Sequence, residues 1–253
     1  MLKISIITIT YNSAQTIEAT LQSLLMQDYK NVELIIIDGK STDGTLSIVE
    51  KYRDHIAQVV SEKDDGLYFA LNKGISLCTG DIIGILHSDD VYYNAQVLTN
   101  VAYAFTNNNT AEALYGDLIF VDRNNLSKIK RVWRSGAYKP DAFKWGWMPP
   151  HPTFFVKTQV YKKYGVFNTQ LRYAADYELM LRFIHVRKIK IIYLPQIMVR
   201  MRLGGISNFS INNKLIANKE DHKAWQLNGI KPNVFTLLLK PLSKLNQYLL
   251  RHI

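Results

Sequence analysis

Along the first hundred residues the apolar positions switch repeatedly between two spacings. Lys3 to Thr10, KISIITIT, is rich in β-branched residues and reads as a buried strand. Ile17, Leu21, Leu24 and Leu25 then recur at helical spacing, and VELIIID (Val32 to Asp38) returns to an apolar strand. STDGT opens a helix through Ile48 and Tyr52, and IAQVVSE is a third strand. Leu67, Ala70, Leu71 and Ile75 mark another helix, and DIIGIL is a fourth strand. Strands and helices alternating across short turns predict right-handed βαβ units. The expected fold class is α/β, a mostly parallel sheet with helices on both faces.

Polar residues gather at one kind of place in that pattern. Thr10, Tyr11 and Asn12 end the first strand, DGKSTDG (Asp38 to Gly44) ends the second, SEKDDG (Ser61 to Gly66) follows the third, and HSDD (His87 to Asp90) ends the fourth. All four clusters fall at carboxyl ends of strands, the edge where open α/β sheets bind ligands. Each also has a plainer reading. Asp-Gly is turn chemistry, Asp43 or Thr42 is placed to cap the next helix, Asp64 or Asp65 likewise, and Asp89 with Asp90 can be a solvated turn. Adjacent carboxylates repel unless water or a cation screens them, so the last pair asks for something positive.

Charge and composition narrow the class. The chain has 253 residues, 47% of them apolar, enough for one large core or a core with a subdomain. Twelve basic residues against two acids from Arg187 onwards account for the whole net charge of +10. Nucleic acid, an anionic membrane or a phosphate-rich substrate each suits such an end. Cys78 is the single cysteine, which excludes an internal disulfide and a cysteine metal cluster and reads as a buried structural thiol. MLKISIITITYN lacks the apolar core of a signal peptide, so the expected location is the cytosol.

The ordered stretches ISIITITYN to IIIDGKSTDGT, SEKDDGLYFALNKGI, TGDIIGILHSDD, PHPTFF and RYAADYELMLRF resemble the family 2 glycosyltransferases of GT-A fold, from Lys3 to about Ser207. The resemblance implies a Rossmann-like GT-A domain with a C-terminal helical appendage. Its parts would be a nucleotide-sugar (donor) half over 1–100, an acceptor and catalytic half over 101–210, and a basic amphipathic tail over 211–253. No G-x-G-x-x-G follows the first strand, so a dinucleotide fold loses its main support.

The same resemblance places Thr10, Tyr11, Asn12, Asp38, Ser41 and Asp43 at the donor base and ribose, with Lys40 as an insertion. In D-x-G-x-Y-x-A-x-N-K-G the matching residues are Asp64 or Asp65, Gly66, Tyr68, Ala70, Asn72, Lys73 and Gly74; Asp65 is the favoured acid, and Asn72 and Lys73 join the donor site. S-D-D resembles a D-x-D metal element, making Asp90 the ligand of Mn²⁺ or Mg²⁺ and Asp89 a sugar or outer contact. Asp176 is the implied base for the acceptor hydroxyl, acting in an inverting displacement. The family usually has Glu-Asp there, whereas this chain has Ala175-Asp176.

Asp176 precedes the apolar stripe Leu179, Phe183, Val186 on one helix face, and the alternative is a plain N-cap. Glu178, two residues on, should face elsewhere. His151 in MPPHPTFF is expected in the acceptor cleft with Trp147, against the alternatives of a core histidine and buried packing of Trp145 and Trp147. Arg200 and Arg202 are expected on the diphosphate, with Gly204 and Gly205 permitting closure; a plain basic strand and turn is the alternative.

The chain departs from processive synthases, having QIMVRM where Gln-x-x-Arg-Trp would stand and no membrane-spanning run, which implies transfer of one sugar. In the tail, Leu238, Leu242, Leu245 and Leu249 form a stripe with Lys240, Lys244 and Arg251 off it. That pattern suits a helix on the anionic inner face of a cytoplasmic membrane. The alternative is packing on its own domain or a partner subunit, and self-association is compatible with either. A membrane-bound tail implies a polyprenyl-diphosphate-linked saccharide acceptor in surface-glycan assembly. A non-catalytic nucleotide-sugar binder would need neither Asp90 nor Asp176, and no zinc or RNA-recognition motif supports nucleic acid as a partner.

Overall fold

A computed structural model describes residues 1–204 and 211–231. Gly205, Ser207 and the leucine stripe of the tail lie outside the described residues. The expected alternation is present: β1 (Ile4–Thr10), α1 (Ile17–Leu25), β2 (Val32–Asp38), α2 (Thr45–Lys51), β3 (Gln58–Ser61), α3 (Leu67–Leu77) and β4 (Ile82–Ile85). These four strands are parallel, in the order β3-β2-β1-β4. The apolar runs of β1, β2 and β4 are buried because helices cover both faces of a parallel sheet. Gly74 lets α3 lie close on β1, since a Cβ there would come within 2.5 Å of Ile7 Cγ2. Cys78 at the end of α3 is half-buried and donates to the Gly74 carbonyl at 3.3 Å; burial pushes its thiol up to about 12.

Beyond β4 the sheet becomes mixed. β5 (Val91–Tyr92), α4 (Val97–Asn107), β6 (Ala113–Val121), β7 (Ile129–Trp133), β8 (Phe155–Lys157), α5 (Thr158–Tyr164), α6 (Ala175–Met180) and β9 (Ile191–Arg202) follow. β8 runs antiparallel between β4 and β6, while β9 lies parallel to β6 and antiparallel to β5. The hairpin strand β7 pairs with β6. The pairing that matters most is Val91 with Arg200, because it brings the end of β9 to the HSDD turn.

The core does not divide at residue 100. One buried cluster joins Ile7, Leu71 and Ile83 to Tyr115, Phe183 and Trp225. Of the expected C-terminal helical tail, residues 211–231 are described. α7 (Ile211–Leu227) packs on α6 and buries Ala224 and Trp225 completely. Among the described residues no helix is long and apolar enough to cross a membrane.

Candidate active site

β1 and β2 end level, Thr10 opposite Asp38, and the loops that follow are laced together. Asn12, at φ 50°, accepts the Thr42 N–H at 2.9 Å, and its own N–H donates to Ser41 Oγ at 2.8 Å. Asp38 is fully buried and accepts the Ser41 N–H at 2.9 Å and the Ser61 hydroxyl at 2.6 Å. Asp43 accepts from the N–H groups of Ala14 (3.1 Å) and Thr45 (2.9 Å), and the Thr45 hydroxyl helps hold its carboxyl below the usual range. These carboxylates thus perform turn chemistry and tie the two loops to each other. Tyr11 stands exposed beside Gly39, and the buried Thr10 hydroxyl has no partner.

In the SEKDDG cluster the two acids differ in their surroundings. Lys73 reaches back from α3 to Asp64 at 2.7 Å and Glu62 at 2.5 Å, and one Asp64 oxygen stays buried without a partner. Asp65, the acid favoured on sequence, is exposed. Asn72 is committed elsewhere: its amide donates to the Phe167 carbonyl and accepts the Phe167 N–H, both at 2.9 Å. It ties α3 to the 167 loop on the same helix face as Tyr68, one turn earlier, whose ring stacks on Phe167 at 5.5 Å.

Asp89 and Asp90 follow β4. Asp90 is 1% exposed; Oδ1 accepts the Arg202 N–H at 3.3 Å, and Oδ2 is buried with no partner. Burial, then repulsion from Asp89, pushes its carboxyl well above the usual value. Burial raises Asp89 as well, opposed by Arg123 and Arg202. A bare, buried carboxylate oxygen beside a second carboxylate fits a hard divalent cation. Among the described residues no group of three His, Cys, Asp or Glu side chains is arranged for a metal, so these two would share it with ligands from elsewhere.

The two expected arginines separate. Arg202 is buried, donates to the Arg123 carbonyl at 2.7 Å and leaves Nε without a partner. Arg200 lies over the Tyr93 ring at 4.6 Å and donates to the Leu126 carbonyl at 3.2 Å, away from the carboxylates. Both share a face of β9, but two residues along a strand is about 6.6 Å, so only the last reaches the site. Arg123, on the turn after β6, brings the second positive charge near Asp89, a position with no pattern in the sequence to announce it.

Across the edge, Asp176 is the second residue of α6. It is not the N-cap, which is Ala174 and has no side-chain cap. Its Oδ1 accepts from the Tyr68 hydroxyl at 3.2 Å, which in turn receives the Asp176 N–H at 3.4 Å, and Oδ2 lies 3.5 Å from His151 Nδ1. Burial, then the Asp176 charge, keeps the Tyr68 phenol protonated. Tyr68 was visible in the donor motif, yet its contact with Asp176 was not. The His151 ring lies 5.4 Å from that of His87, tilted at 58° to it, and burial lowers both rings; His87 falls to about 3. The two neutral imidazoles therefore link the Asp89–Asp90 turn to Asp176. Glu178 faces elsewhere as expected, paired with Arg182 at 2.9 Å. Trp147 is half-buried against Tyr115, Tyr138 and Phe143 and donates to the Ser135 carbonyl at 2.8 Å, so packing claims it, while Trp145 is 59% exposed.

The strand ends thus bring the laced loops after β1 and β2, the Asp89–Asp90 turn and Asp176 to one edge of the sheet. The model of glycosyl transferase family 2 matches residues 5–167, and the chain belongs to that family. A PGL/p-HBAD biosynthesis glycosyltransferase of Mycobacterium bovis is 27% identical over 216 residues, 84% of this chain and 82% of the relative. An uncharacterized glycosyltransferase of Mycobacterium tuberculosis is 30% identical over 181 residues, 71% of this chain and 68% of the relative.

Among solved structures, S. aureus TarS 1-349 in complex with UDP-GlcNAc superposes with TM-score 0.66 at 21% identity, covering 90% of this chain and 65% of that one. The chain spans 39% of a longer TarS structure. The mannosyltransferase PcManGT of Pyrobaculum calidifontis, in complex with GDP-Man and Mn²⁺, gives TM-score 0.67 at 18% identity, covering 96% and 69%. The fold is GT-A.

Proposed function

We propose that the chain transfers one sugar, with inversion, from a nucleoside-diphosphate sugar to a hydroxyl of a lipid-linked saccharide, with a UDP-sugar as the first donor to test. The observation that carries the reading is the buried, unpartnered Oδ2 of Asp90 facing an edge whose other side holds Asp176. Asp90 and Asp89 would hold Mn²⁺ or Mg²⁺, completed by diphosphate and water oxygens; the cation supplies charge neutralisation for the departing nucleoside diphosphate. Arg202 and Arg123 add positive charge on the same side. Tyr11 and the floor built by Asp38, Ser41 and Asp43 seat the nucleoside. Asp176, oriented by the Tyr68 hydroxyl, accepts the proton of the attacking hydroxyl, and neutral His151 shapes the acceptor side.

The donor class is supported by TarS with UDP-GlcNAc and PcManGT with GDP-Man. A lipid-linked acceptor, a role in O-antigen, capsule or exopolysaccharide assembly, and residence at the inner face of the cytoplasmic membrane draw on the basic excess after Arg187. The test is binding and hydrolysis of UDP-, GDP- and dTDP-sugars with Mn²⁺, Mg²⁺ or EDTA, for the intact chain, Asp90→Ala and Asp176→Ala. Metal-dependent binding of one donor, lost in Asp90→Ala and kept in Asp176→Ala, is the expected result. Absence of binding to every donor under every metal condition overturns the reading.

A further inference from the structure

The helix that carries Asp176 is short and has no side-chain cap of its own. The three N–H groups leading into it would be orphan donors without a partner from elsewhere in the chain. That partner is Glu220, on α7. Its Oε1 accepts the Arg172 N–H at 2.9 Å, and Oε2 accepts the N–H groups of Tyr173 at 2.7 Å and Ala174 at 3.0 Å. Two further contacts, from the end of α7 and the residue after it, hold α6 itself. Trp225 Nε1 donates to the Tyr177 hydroxyl at 2.9 Å, and Asn228 donates to Glu178 at 3.0 Å. Tyr177 and Glu178 directly follow Asp176, so α7 grips the chain both before and after the carboxylate.

We infer that Glu220 is a positioning residue: its carboxylate fixes residues 172–174 and so holds Asp176 against Tyr68 and His151. Hydrogen bonds from N–H groups to a carboxylate are the charge-assisted, stronger kind, and three on one side chain define both the place and the direction of the segment. Among the described residues the Asp176 side chain meets Tyr68 and His151. Its contacts with Tyr68 and His151 are 3.2–3.5 Å, loose enough that a shift of the loop would open them. A displacement of about 1 Å at a reacting group costs on the order of a hundredfold in rate. On this inference α7, beyond the donor-binding half, is part of the catalytic apparatus. The inference rests on reading Asp176 as the base.

The test uses the full chain with Mn²⁺ and its donor, comparing the parent with Glu220→Gln, Glu220→Ala and Asp176→Asn. Turnover is expressed per donor-binding site, so that a loss of folded molecules does not register as a loss of rate. Amide exchange of the segment containing residues 172–174 is followed in parallel. Glu220→Ala is expected to lower kcat at least about tenfold with donor Kd unchanged within about twofold. Glu220→Gln, which keeps one acceptor oxygen, should fall between it and the parent, and exchange of the segment should quicken in the same order. Should Glu220→Ala not fold, the isosteric Glu220→Gln decides by the same two readings. Parent-like kcat and exchange in the Glu220 variants, with Asp176→Asn inactive, overturn the clamp and leave the base standing. An active Asp176→Asn overturns the base instead.

Discussion

The two ends of the parallel strands treat a buried carboxylate in opposite ways. At the amino end, Glu33 of β2 is 7% exposed and surrounded by donors: the Ser5 hydroxyl, the Thr79 N–H (2.6 Å) and hydroxyl (2.7 Å), the Gly80 N–H (3.0 Å) and Lys3 Nζ (2.6 Å). Burial alone would raise its carboxyl, but these partners outweigh it and bring it down to about 2. At the carboxyl end, Asp90 has one N–H at 3.3 Å, a bare oxygen and an anionic neighbour, and its carboxyl rises. A satisfied buried charge serves the fold; a buried charge left short of partners is a standing cost that a cation and a diphosphate can relieve.

That contrast is open to attack from both ends. The largest effect is expected at Asp90: Asp90→Asn should lower metal-dependent turnover by about a thousandfold. The variant's unfolding midpoint in chelator should stay level or rise, checked by thermal unfolding with and without Mn²⁺ and UDP. A clear fall in that midpoint would mean that Asp90 serves the fold. Asp176→Asn should cost turnover roughly a hundredfold or more while donor affinity, read by calorimetry, holds. Glu33→Ala should do the reverse. It strips partners from a buried network and should destabilise by roughly 2 to 3 kcal/mol, while kcat per folded molecule is retained.

The pH dependences of the two carboxylates have opposite signs. Glu33 is depressed from 4.5 to about 2, so its stabilisation is whole above 4.5 and is lost as pH falls towards 2. Asp90 is raised above 3.8, so its contribution is best below 3.8 and is lost as pH rises. Unfolding midpoints in chelator should therefore show the penalty of Glu33→Gln shrinking on acidification, and the gain of Asp90→Asn growing as pH rises from 3.8. The smallest effect separates the arginines: Arg202→Ala should weaken donor binding about tenfold and Arg200→Ala less than about twofold, measured as donor Kd.

Much of the donor half was legible because it is a local pattern. β1 to β4, their order of appearance and the four polar clusters at their ends follow from apolar spacing and turn residues, which act over a few positions. Asp90 and Asp176 were legible as chemistry for the same reason: a doubled acid after an apolar strand, and an acid at the start of an apolar helical stripe. Which of Asp64 and Asp65 pairs with Lys73, and which of Arg200 and Arg202 lies by the carboxylate turn, were not. Each pair has the same chemistry, and what separates them is where Lys73 or the β5–β9 pairing reaches. Asn72 and Trp147 carry groups suited to a ligand, but the Phe167 backbone and the Ser135 carbonyl claim them, and those partners are 95 and 12 residues away.

The sequence by itself determined the alternating α/β start, the edge on which a ligand sits and the family of transferases to which the chain belongs, since each is written in short-range periodicity and ordered motifs. Only the tertiary structure decided that Tyr68 meets Asp176, that Arg123 and Arg202 share the carboxylate turn, and that Glu220 on α7 accepts the N–H groups of residues 172–174 ahead of Asp176. These are contacts across 46 to 112 residues of chain. They exist because packing brings distant backbone donors and side chains to one place, and no spacing along the chain encodes that.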